Sequence, residues 1–579
     1  MHNQTIVWSP EGELVHRWRK AYLVPIEEAA DGLALSFGAP GALRGHDLPF
    51  GRVASVISKD AWMPDVLDRL ALDGTALMLQ PEAFSGWGVP HGEDGAWAPD
   101  VVKESGWAHV MRYPEFRASA LPCLSQNLFE LVFDCQSSVL AGRERGAWIG
   151  QDQDVGFAAV APWFASDDGA GTLEERRARI VAEGTRLLPG GDAEDAYPAG
   201  SASLDLDLSR GPEAPSAHAI APSEGGEQRR PAIVVAGGRA VIFWEDDRRG
   251  QTRIYGAMEG EDGYGEARVR VRTEGEVRAL RAASEGETVH LVWQEARGED
   301  WDARYARSDD GGRSFGDPIT IGSAPEALQY VPDVAADAGT VWVAWIDLRD
   351  GAARVYVARR GPEDEGFTGE LALEPAPSEY RTRENRWAPS IAASGGRVAV
   401  AWTSFASFAW EIWGAFGGED GFGAPARLDD ASVPFETIHA DPRVAWADGA
   451  ALVAWTDLRV RRPDYDVRAR RVDPDDPSGS PPSVSLASSD VAGRPQWRPA
   501  LAVSDGDVAI AWQDFRTDHN ELRVARSGDG GRTFGADALA GPGEGEVYYP
   551  AIAGAGGAFV VAFETVEGGP RRVSAAPLP

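Results

Sequence analysis

Carboxylates and arginines recur in this sequence at a fixed distance from a tryptophan. The string Trp-x-[Asp/Glu]-x-Arg pairs Asp246 with Arg248, Glu295 with Arg297, Asp347 with Arg349, Asp457 with Arg459 and Asp514 with Arg516. Carboxylates held in this way could act as general acids and bases. An active site, however, brings unlike residues together once, whereas this pair recurs along the chain. We therefore interpret the string as a repeated turn in which a carboxylate pairs with a guanidinium.

A second set of candidate residues lies two positions before a proline. Arg229 precedes Pro231 in this way, and the equivalent positions in later segments hold Tyr330, Trp387, Trp497 and Tyr548. Aromatic rings at such positions could form a stacking platform for a sugar or another flat ligand. The alternative is that they pack between structural elements. The sequence therefore predicts a ligand-binding site at these five residues, with packing as the competing interpretation.

The elements that must position these residues form an internal repeat. A short apolar strand that ends in an aromatic residue recurs at Trp244, Trp293, Trp345, Trp402, Trp455, Trp512 and Phe563. Each unit has the pattern of a meander of short strands separated by Gly, Asp-Gly and Pro. Because one meander cannot bury both faces, the units should stack around an axis as a seven-bladed β-propeller, with six blades as the alternative. Residues 203–209 alternate suitably to supply the last blade's fourth strand.

Two units carry a sharper motif after their third strand, at residues 308–315 and 527–534. Both match S-x-D-x-G-x-[ST]-[FW] and resemble the Asp box, or BNR repeat, of sialidase-like propellers. Sialidases clamp a carboxylate with three arginines and use a Tyr–Glu pair with an acidic partner. The resemblance therefore implies a sialidase-like glycoside hydrolase as one possible function. Arg229 matches the first-strand arginine of that family, whereas the other two arginines and the tyrosine have no clear counterparts.

The first part of the chain lacks the repeat. Strand-like segments at residues 4–8, 53–57 and 76–80 alternate with a helical segment at residues 64–71. Strands that alternate with helices indicate an α/β layer. A charged helical segment and a stretch rich in Gly, Pro, Ser and Ala follow. We predict domains at residues 1–197 and 228–579, joined by a linker at residues 198–227.

Residues 8–28 and 51–65 resemble two motifs of the nitrilase, or carbon–nitrogen hydrolase, superfamily, and weaker similarity continues at residues 117–122 and 134–137. The resemblance implies a partial αββα sandwich. By position, Lys20 matches the family's lysine and Glu28 its auxiliary glutamate. Ser58 stands at the position of the nucleophilic cysteine. The family's general-base glutamate would lie upstream of Met1.

A hydroxyl is a weaker nucleophile than a thiol, and a missing base weakens it further. The expected function is therefore a catalytically impaired carbon–nitrogen hydrolase-like module fused to a ligand- or glycan-binding propeller. One alternative is an active amidase or nitrilase that hydrolyses C–N bonds through Ser58. The other is the sialidase-like glycoside hydrolase.

Composition narrows the possible partners. The 579 residues carry a formal net charge of −34, and this field repels nucleic acid and anionic membranes. No apolar run is long enough to span a bilayer. No dinucleotide, P-loop or zinc motif occurs, so no cofactor and no metal site are expected. The two cysteines, Cys123 and Cys135, are expected to be free thiols. A small amide or a glycan is the expected ligand, and the sequence indicates neither compartment nor oligomeric state.

Overall fold

The computed structural model describes most of the chain in two compact units. The described residues are 2–24, 27, 33–84, 87, 98–128, 131–145, 155–161, 175, 178–179, 182–183, 186, 192, 203–206, 220 and 225–578, the last range apart from 262, 299, 325, 375–384, 407–408, 431–437, 459–464, 488–493, 518, 543–544 and 567–569. The N-terminal unit comprises Met1–Ser209 and Arg461–Pro463, and the second unit comprises Arg210–Val460 and Asp464–Pro579. The units therefore divide within the predicted linker. No helix among these residues is long and apolar enough to cross a membrane.

The N-terminal unit is built on a six-stranded mixed sheet with the strand order β10-β9-β6-β5-β4-β3. Its strands are β3 (His46–Leu48), β4 (Gly51–Ser55), β5 (Leu77–Leu79), β6 (Ala118–Leu121), β9 (Ser138–Arg145) and β10 (Val155–Val160). Two-stranded sheets are formed by β1 (Gln4–Trp8) with β2 (Leu14–Arg19), and by β7 (Ser125–Leu128) with β8 (Leu131–Asp134). The helices are α1 (Pro64–Leu72), α2 (Ala98–Ser105) and α3 (Trp107–Arg112), with 3-10 turns at Pro40–Ala42 and Ser58–Trp62.

Helix α1 connects two parallel strands, β4 and β5, at the centre of this sheet. Pro64 occupies its first turn, where a missing amide hydrogen costs nothing, and Val66, Leu67 and Leu70 are buried. The predicted α/β order is thus present. The four-layer αββα sandwich is not shown, because the described residues of this unit form one six-stranded sheet and two two-stranded sheets.

The second unit is a β-propeller whose described strands form seven antiparallel blades, and a single parallel pair, Trp410 with Ile438, joins blades 4 and 5 into one nine-stranded sheet. Blade 1 contains β11 (Gln228–Ala236), β12 (Arg239–Asp246), β13 (Arg253–Gly260), β14 (Gly263–Tyr264) and β15 (Arg268–Val269); blade 2 contains β16 (Val277–Glu285), β17 (Thr288–Arg297), β18 (Asp300–Ser308) and β19 (Ile319–Thr320); blade 3 contains β20 (Gln329–Asp337), β21 (Thr340–Asp347), β22 (Arg354–Arg360) and β23 (Thr368–Ala372); blade 4 contains β24 (Asn385–Ser394), β25 (Arg397–Ala406), β26 (Ala409–Gly418), β27 (Gly421–Phe422) and β28 (Ala426–Arg427). Blade 5 contains β29 (Ile438–Ala447), β30 (Ala450–Leu458), β31 (Asp466–Val472) and β32 (Val484–Ser485); blade 6 contains β33 (Gln496–Ser504), β34 (Asp507–Asp514), β35 (Glu521–Ser527) and β36 (Ala538–Leu539); blade 7 contains β37 (Glu546–Ala555), β38 (Ala558–Val566) and β39 (Arg572–Pro577).

Tight hairpins and inter-blade packing build each blade. The first two strands of blade 3 meet at Ala338 and Gly339, both with positive φ (50° and 80°), as a tight hairpin turn with the right-handed strand twist requires. The face of each blade is covered by its neighbour. Trp345 of blade 3, for example, packs in one buried cluster with Val292 and Tyr305 of blade 2. Stacked blades therefore bury the faces that one meander would expose.

The carboxylate–arginine string is structural, as predicted. The indole Nε1 of Trp345 donates to Asp347 Oδ2 at 3.1 Å, and Arg349 Nη2 donates to the same oxygen at 2.6 Å. Trp244 and Trp512 donate in the same way to Asp246 and Asp514, each two residues further on. Each carboxylate thus holds the turn that follows its strand.

The Asp boxes are hydrogen-bonded turns that carry an aromatic anchor. Asp310 accepts backbone hydrogen bonds from Arg313 and Ser314, both at 2.9 Å. Despite some burial, these bonds and the Ser314 and Ser308 hydroxyls lower the pKa of Asp310 to about 2. The motif ends at Phe315, whose ring meets Phe243 of blade 1 at a centroid distance of 5.6 Å. The box therefore joins its blade to the preceding one.

The ring closes where blade 7 meets blade 1, at a boundary that we call the seam. The backbone amide of Gln228 donates to Arg571 O and its side chain accepts from Val573 N, both at 3.0 Å. Ile220 N donates to Val573 O at 2.9 Å, so chain upstream of blade 1 pairs with the outermost strand of blade 7. The predicted donor of this strand was residues 203–209, but residues 203–206 belong to no strand.

Candidate functional site

Every innermost strand begins with a β-bulge that contains a left-handed residue. At each bulge two residues of the inner strand stand opposite one residue of the second strand. The first bulged residue has a φ between 42° and 56° and is Arg230, Ala279, Val331, Ala388, Asp441, Arg498 or Tyr549. Side chains other than glycine rarely adopt this region, and such strain gathers at sites that the surrounding structure holds firmly.

Hydrogen bonds between blades hold most of these bulges. Val331 N donates to Gln294 Oε1 of the preceding blade, Arg498 N to Thr456 Oγ1 and Tyr549 N to Gln513 Oε1, each at 3.0 Å. At the seam, Arg230 N donates to Glu564 Oε1 at 2.5 Å. In each of these four hydrogen bonds, the acceptor residue directly follows the buried aromatic residue of the second strand of its blade. The bulges are therefore set by the neighbouring blade and line one mouth of the central channel.

The bulge places the predicted ligand-binding aromatics inside the blades. Tyr330, Trp387, Trp497 and Tyr548 are each at most 7% exposed. Tyr330 packs against Trp387 of the next blade at a centroid distance of 5.9 Å. Their burial favours the packing interpretation over an open stacking platform.

Arg229 has a structural environment as well. Its Nη2 donates to Glu227 at 2.6 Å and to Asp247 at 2.8 Å. A guanidinium that is already held by two carboxylates has little capacity left for a carboxylate ligand. The structure thus places Arg229 in the wall of blade 1.

The residue that follows the bulge differs from blade to blade. From blade 1 to blade 7 these positions hold Ala232, Arg281, Asp333, Ser390, Arg443, Ala500 and Ala551. Large residues compensate for the three alanines, since the left-handed positions of the same blades hold Arg230, Arg498 and Tyr549. A symmetric scaffold therefore carries one asymmetric set of charged side chains. The signal was present in the sequence as an alignment of the seven strand starts.

Arg281 lies where charges from several blades converge. Burial, and then the positive charge of Arg443, lower the pKa of Arg281 to about 10. Asp333, Glu245 and Arg498 also act on it, so the interacting charges come from blades 1, 3, 5 and 6. Because Arg281 belongs to blade 2, it can lie near charged side chains of all four of these blades only across the central channel. We call Arg281, Asp333, Arg443 and Arg498 the channel cluster.

Two guanidinium groups of the channel cluster have no carboxylate partner among the described residues. Arg281 Nη1 donates to Leu280 O at 3.0 Å, and Arg443 Nη1 donates to Pro442 O at 3.1 Å. Both acceptors are carbonyls of the preceding residue. Glu245 is already engaged by Arg230 Nη1 at 3.1 Å. Asp333 and Glu245 oppose the effect of Arg443 on Arg281 but form no ion pair with it in the described part of the chain. Like charges held close together in this way favour an anion between them.

An aromatic residue borders this cluster. The Tyr549 ring lies between two guanidinium groups, 4.5 Å from that of Arg498 and 5.2 Å from that of Arg230. Such cation–π contacts order the arginine side chains around the mouth. The mouth therefore combines a cationic centre with one partly exposed aromatic ring.

In the N-terminal unit, Lys20 and Ser58 lie at one buried polar corner. Lys20 Nζ pairs with Glu27 Oε2 at 2.8 Å, and both side chains are at most 8% exposed. Although burial opposes it, Lys20 lowers the pKa of Glu27. Glu28, the predicted auxiliary glutamate, lies outside the described residues. The glutamate that pairs with Lys20 in the structure is Glu27, the residue before Glu28.

Two further carboxyls at this corner were not predicted. Burial raises the pKa of Asp60 to about 7, although its carboxylate accepts backbone hydrogen bonds from Ala21 and Tyr22. Burial likewise raises the pKa of Glu82 to about 7, against the opposing effects of Gln80, Ser58 and Lys20. Parallel pairing of β4 with β5 brings Ser58 and Glu82 together. No local sequence pattern predicts this contact. Over the described ranges, no group of His, Cys, Asp or Glu side chains could hold a metal ion.

The described blades and their common inner bulge are those of a β-propeller. Solved structures similar to this chain include neuraminidase-like and GH93 arabinofuranosidase propellers. A polysaccharide lyase of family PL25, an ulvan lyase, is 10% identical with a TM-score of 0.44, over 62% of this chain and 95% of that one. The GH93 α-L-arabinofuranosidase of Fusarium graminearum is 12% identical with a TM-score of 0.39, over 52% and 92%. A subtype N10 neuraminidase-like protein of A/little yellow-shouldered bat/Guatemala is 10% identical with a TM-score of 0.36, over 54% and 95%.

No protein-family profile and no curated protein matches the sequence. These comparisons correct one prediction. The expected function, a carbon–nitrogen hydrolase-like protein, is contradicted, because the similar structures are glycoside hydrolases, lyases and neuraminidase-like propellers. Nothing supports the nitrilase-like N-terminal domain.

Proposed function

We propose that the propeller is a sialidase-like glycoside hydrolase that acts on a carboxylate-bearing sugar at the channel mouth. The observation that carries this proposal is the like-charge pair Arg281 and Arg443, which act on each other although they belong to blades 2 and 5. Both guanidinium groups donate to backbone carbonyls, and neither forms an ion pair with a carboxylate among the described residues. Guanidinium groups bind carboxylates through two parallel hydrogen bonds. An acidic sugar would therefore supply the missing counter-ion.

The other residues of the mouth suit chemistry on such a sugar. Glycoside hydrolysis commonly uses a pair of carboxyl groups, and sialidases use a tyrosine as nucleophile. Asp333 and Asp441 supply carboxyl groups on the inner strands of blades 3 and 5, and Tyr549 supplies a phenol on blade 7. In this proposal Arg281 and Arg443 bind the substrate carboxylate, and these three residues are the candidates for bond cleavage.

The test compares acidic and neutral fluorogenic glycosides. We expect turnover of an N-acetylneuraminic acid or glucuronic acid glycoside and none of the glucose and galactose glycosides. Arg281→Ala and Arg443→Ala should each lower kcat/KM by about 30- to 100-fold, because hydrogen bonds to a charged group contribute about 2–3 kcal/mol. Calorimetric binding of the free acidic sugar should weaken in parallel.

Arg268→Ala is the matched control, because Arg268 is an exposed arginine paired with Glu266 on the rim of blade 1. It should leave both turnover and binding unchanged. Equal binding of acidic and neutral sugars, or binding that survives both channel substitutions, would refute the carboxylate site. Binding of the acidic sugar without turnover of any glycoside would refute the hydrolase.

A further inference from the structure

Ser58 occupies a strained turn between a strand and a helix. It follows β4 and begins the 3-10 turn that leads into α1, and its φ is 50°. Its amide donates to Pro81 O at 3.1 Å, and its side chain is partly exposed. A serine in the left-handed region costs about 1 kcal/mol or more relative to an extended one. The surrounding strands hold the hydroxyl in this position despite that cost.

Glu82 faces this hydroxyl from the end of the neighbouring strand. Its side chain is buried, and Ser58 interacts with its carboxyl group. Gln80 Nε2 donates to Glu82 Oε1 at 2.9 Å, whereas Oε2 is buried with no hydrogen-bond partner at normal distance in the described part of the chain. A buried polar atom without a partner is rare and points to a ligand, a water molecule or a reacting group.

A chain of hydrogen bonds orients the Glu82 carboxyl group. Gln80 Nε2 also donates to Ser105 Oγ at 2.7 Å, and its Oε1 accepts from Ser119 Oγ at 3.1 Å. The amide of Gln80 therefore cannot rotate, and it leaves one carboxyl oxygen of Glu82 directed away from the network. A nucleophile beside a base that a third group orients is the general arrangement for activating a hydroxyl.

Lys20 places a positive charge near the same carboxyl. It acts on Glu82, on Asp60 and on Lys59, and partial burial together with the charge of Lys20 lowers the pKa of Lys59 to about 8. The ion pair with Glu27 holds Lys20 in place. A fixed cation at this position could stabilise the negative charge that develops on a carbonyl oxygen under attack.

We propose that Ser58 and Glu82 are the nucleophile and the general base of an esterase site for oxygen esters of small carboxylic acids. Ser58 Oγ bonds to the ester carbonyl carbon while its proton passes to Glu82. The C–O bond then breaks, and the alcohol leaves with that proton. Water, deprotonated by Glu82, cleaves the acyl-serine, which releases the acid and restores the hydroxyl. The site is independent of the propeller and of the function proposed for it.

The chemistry of the leaving group favours an ester over an amide as the substrate. An amide nitrogen must be protonated before it leaves, whereas an activated ester oxygen leaves with little assistance. Glu82 interacts with Ser58 and can take its proton, whereas Asp60, the other buried carboxyl group at this corner, accepts backbone hydrogen bonds from Ala21 and Tyr22. A hydroxyl nucleophile with one carboxyl group positioned for proton transfer therefore matches the less demanding bond.

Labelling of the whole protein tests the nucleophile. A fluorophosphonate should add one phosphonyl group to the wild type, located at Ser58 by peptide mass spectrometry. Ser58→Ala should remove the label. Ser55→Ala is the matched control, because Ser55 is a buried serine three residues away whose hydroxyl contacts Thr5 instead. Absence of label in the wild type, or a label that persists in Ser58→Ala, overturns the proposal.

Turnover of p-nitrophenyl acetate tests the base. Glu82→Gln should keep the fold, since its amide can still meet Gln80, and should lower kcat by about 100-fold or more, as expected for loss of a general base. Circular dichroism verifies that each variant is folded. If Ser58→Ala is folded but inactive, Ser58→Cys provides a second test of the same position. Its thiol needs less help from a base, and iodoacetamide should therefore label it at position 58. Equal turnover in the wild type and Glu82→Gln refutes the assignment of Glu82.

Discussion

Replacing Glu227 with glutamine should weaken the seam of the propeller. Glu227 Oε2 accepts from Arg229 Nη2 at 2.6 Å within blade 1 and from Arg571 Nη2 at 2.7 Å in blade 7. Although burial opposes it, the charges of Arg571 and Arg229 depress the pKa of Glu227 far below its usual range. One carboxylate therefore pairs with two largely buried guanidinium groups on opposite sides of the seam.

The size of the destabilisation depends on the carboxylate partners that each arginine keeps after the substitution. Breaking a buried ion pair by removing one partner costs about 3–5 kcal/mol, because the other charge stays buried without compensation. Arg229 still has Asp247 at 2.8 Å, and Arg571 still has Glu564 at 3.7 Å. The glutamine carbonyl can also accept one hydrogen bond. We therefore expect a loss of about 2–3 kcal/mol in the free energy of opening the seam.

Hydrogen exchange measures this loss locally. The amides of Gln228 and Val573 bond across the seam, so peptides covering β11 and β39 should exchange about 30- to 100-fold faster in Glu227→Gln. Glu266→Gln is the control, because that glutamate pairs with Arg268 at the surface, where such a pair contributes less than about 1 kcal/mol. Seam exchange that is equal in the two variants would refute this account of ring closure.

Acid provides a second test of the same contact. A carboxyl whose folded pKa is depressed contributes stability above its unfolded pKa, near 4.3, and loses that contribution as pH falls. The difference between wild type and Glu227→Gln should therefore be largest at neutral pH and shrink below about pH 4. A difference that stays constant down to pH 3 would mean that the carboxylate charge is not its source.

Three further predictions concern single sites. Ala388→Gly should stabilise the propeller by about 0.5–1 kcal/mol in urea unfolding, since φ at Ala388 is 47°, whereas Ala335→Gly, in an ordinary strand position, should destabilise it; equal signs would refute the strain argument. Because burial raises the pKa of Glu82 from 4.5 to about 7, its carboxyl group should lower the stability of the N-terminal unit by about 3 kcal/mol as pH rises over that interval. Glu82→Gln should remove this part of the slope and leave the part due to Asp60, whose pKa burial also raises to about 7; an unchanged slope would contradict the assignment. Asp310→Ala should cost about 1 kcal/mol of unfolding free energy through the lost turn hydrogen bonds, and Asp309→Ala, an exposed neighbour, should cost less than half as much.

Features that depend on local sequence could be predicted. The hairpin turns between the first two strands need positive φ, and Gly-Gly or Asp-Gly pairs mark five of the seven. The apolar strand that ends in tryptophan marks the second strand of six blades. The Asp box marks turns in blades 2 and 6. Because each signal spans fewer than ten residues and repeats, the blade count follows without knowledge of distant contacts.

The residues that line the mouth could not be predicted from alternation alone. In a strand without the bulge, Tyr330 and Pro332 would lie on the same face. The tyrosine side chain would then face the channel. The bulge inserts one residue opposite Trp345 and shifts the alternation, so Tyr330 packs inside the blade. The residue before each proline is biased away from helical geometry, but nothing local demands a left-handed conformation there.

The polar corner of the N-terminal unit shows a different limit. Ser58 and Lys20 were found through a family resemblance, but Glu27 and Glu82 were not. Glu82 lies 24 positions after Ser58, and only the parallel pairing of their strands brings them together. Long-range pairing of this kind leaves no periodic signal in either segment.

The channel cluster shows how function can be separated from scaffold in a repeat protein. Residues required by the blade recur in several blades, as the tryptophan–carboxylate pairs and the bulges do. Arg281, Asp333 and Arg443 occupy one equivalent position in three blades and differ from the alanines that fill it in blades 1, 6 and 7. Alanine occupies that position in three blades, so the fold does not require a charge there, and neither Arg281 nor Arg443 forms an ion pair with a carboxylate among the described residues. Charges that the scaffold does not need, and that converge on one axis, are best explained by a ligand that needs them.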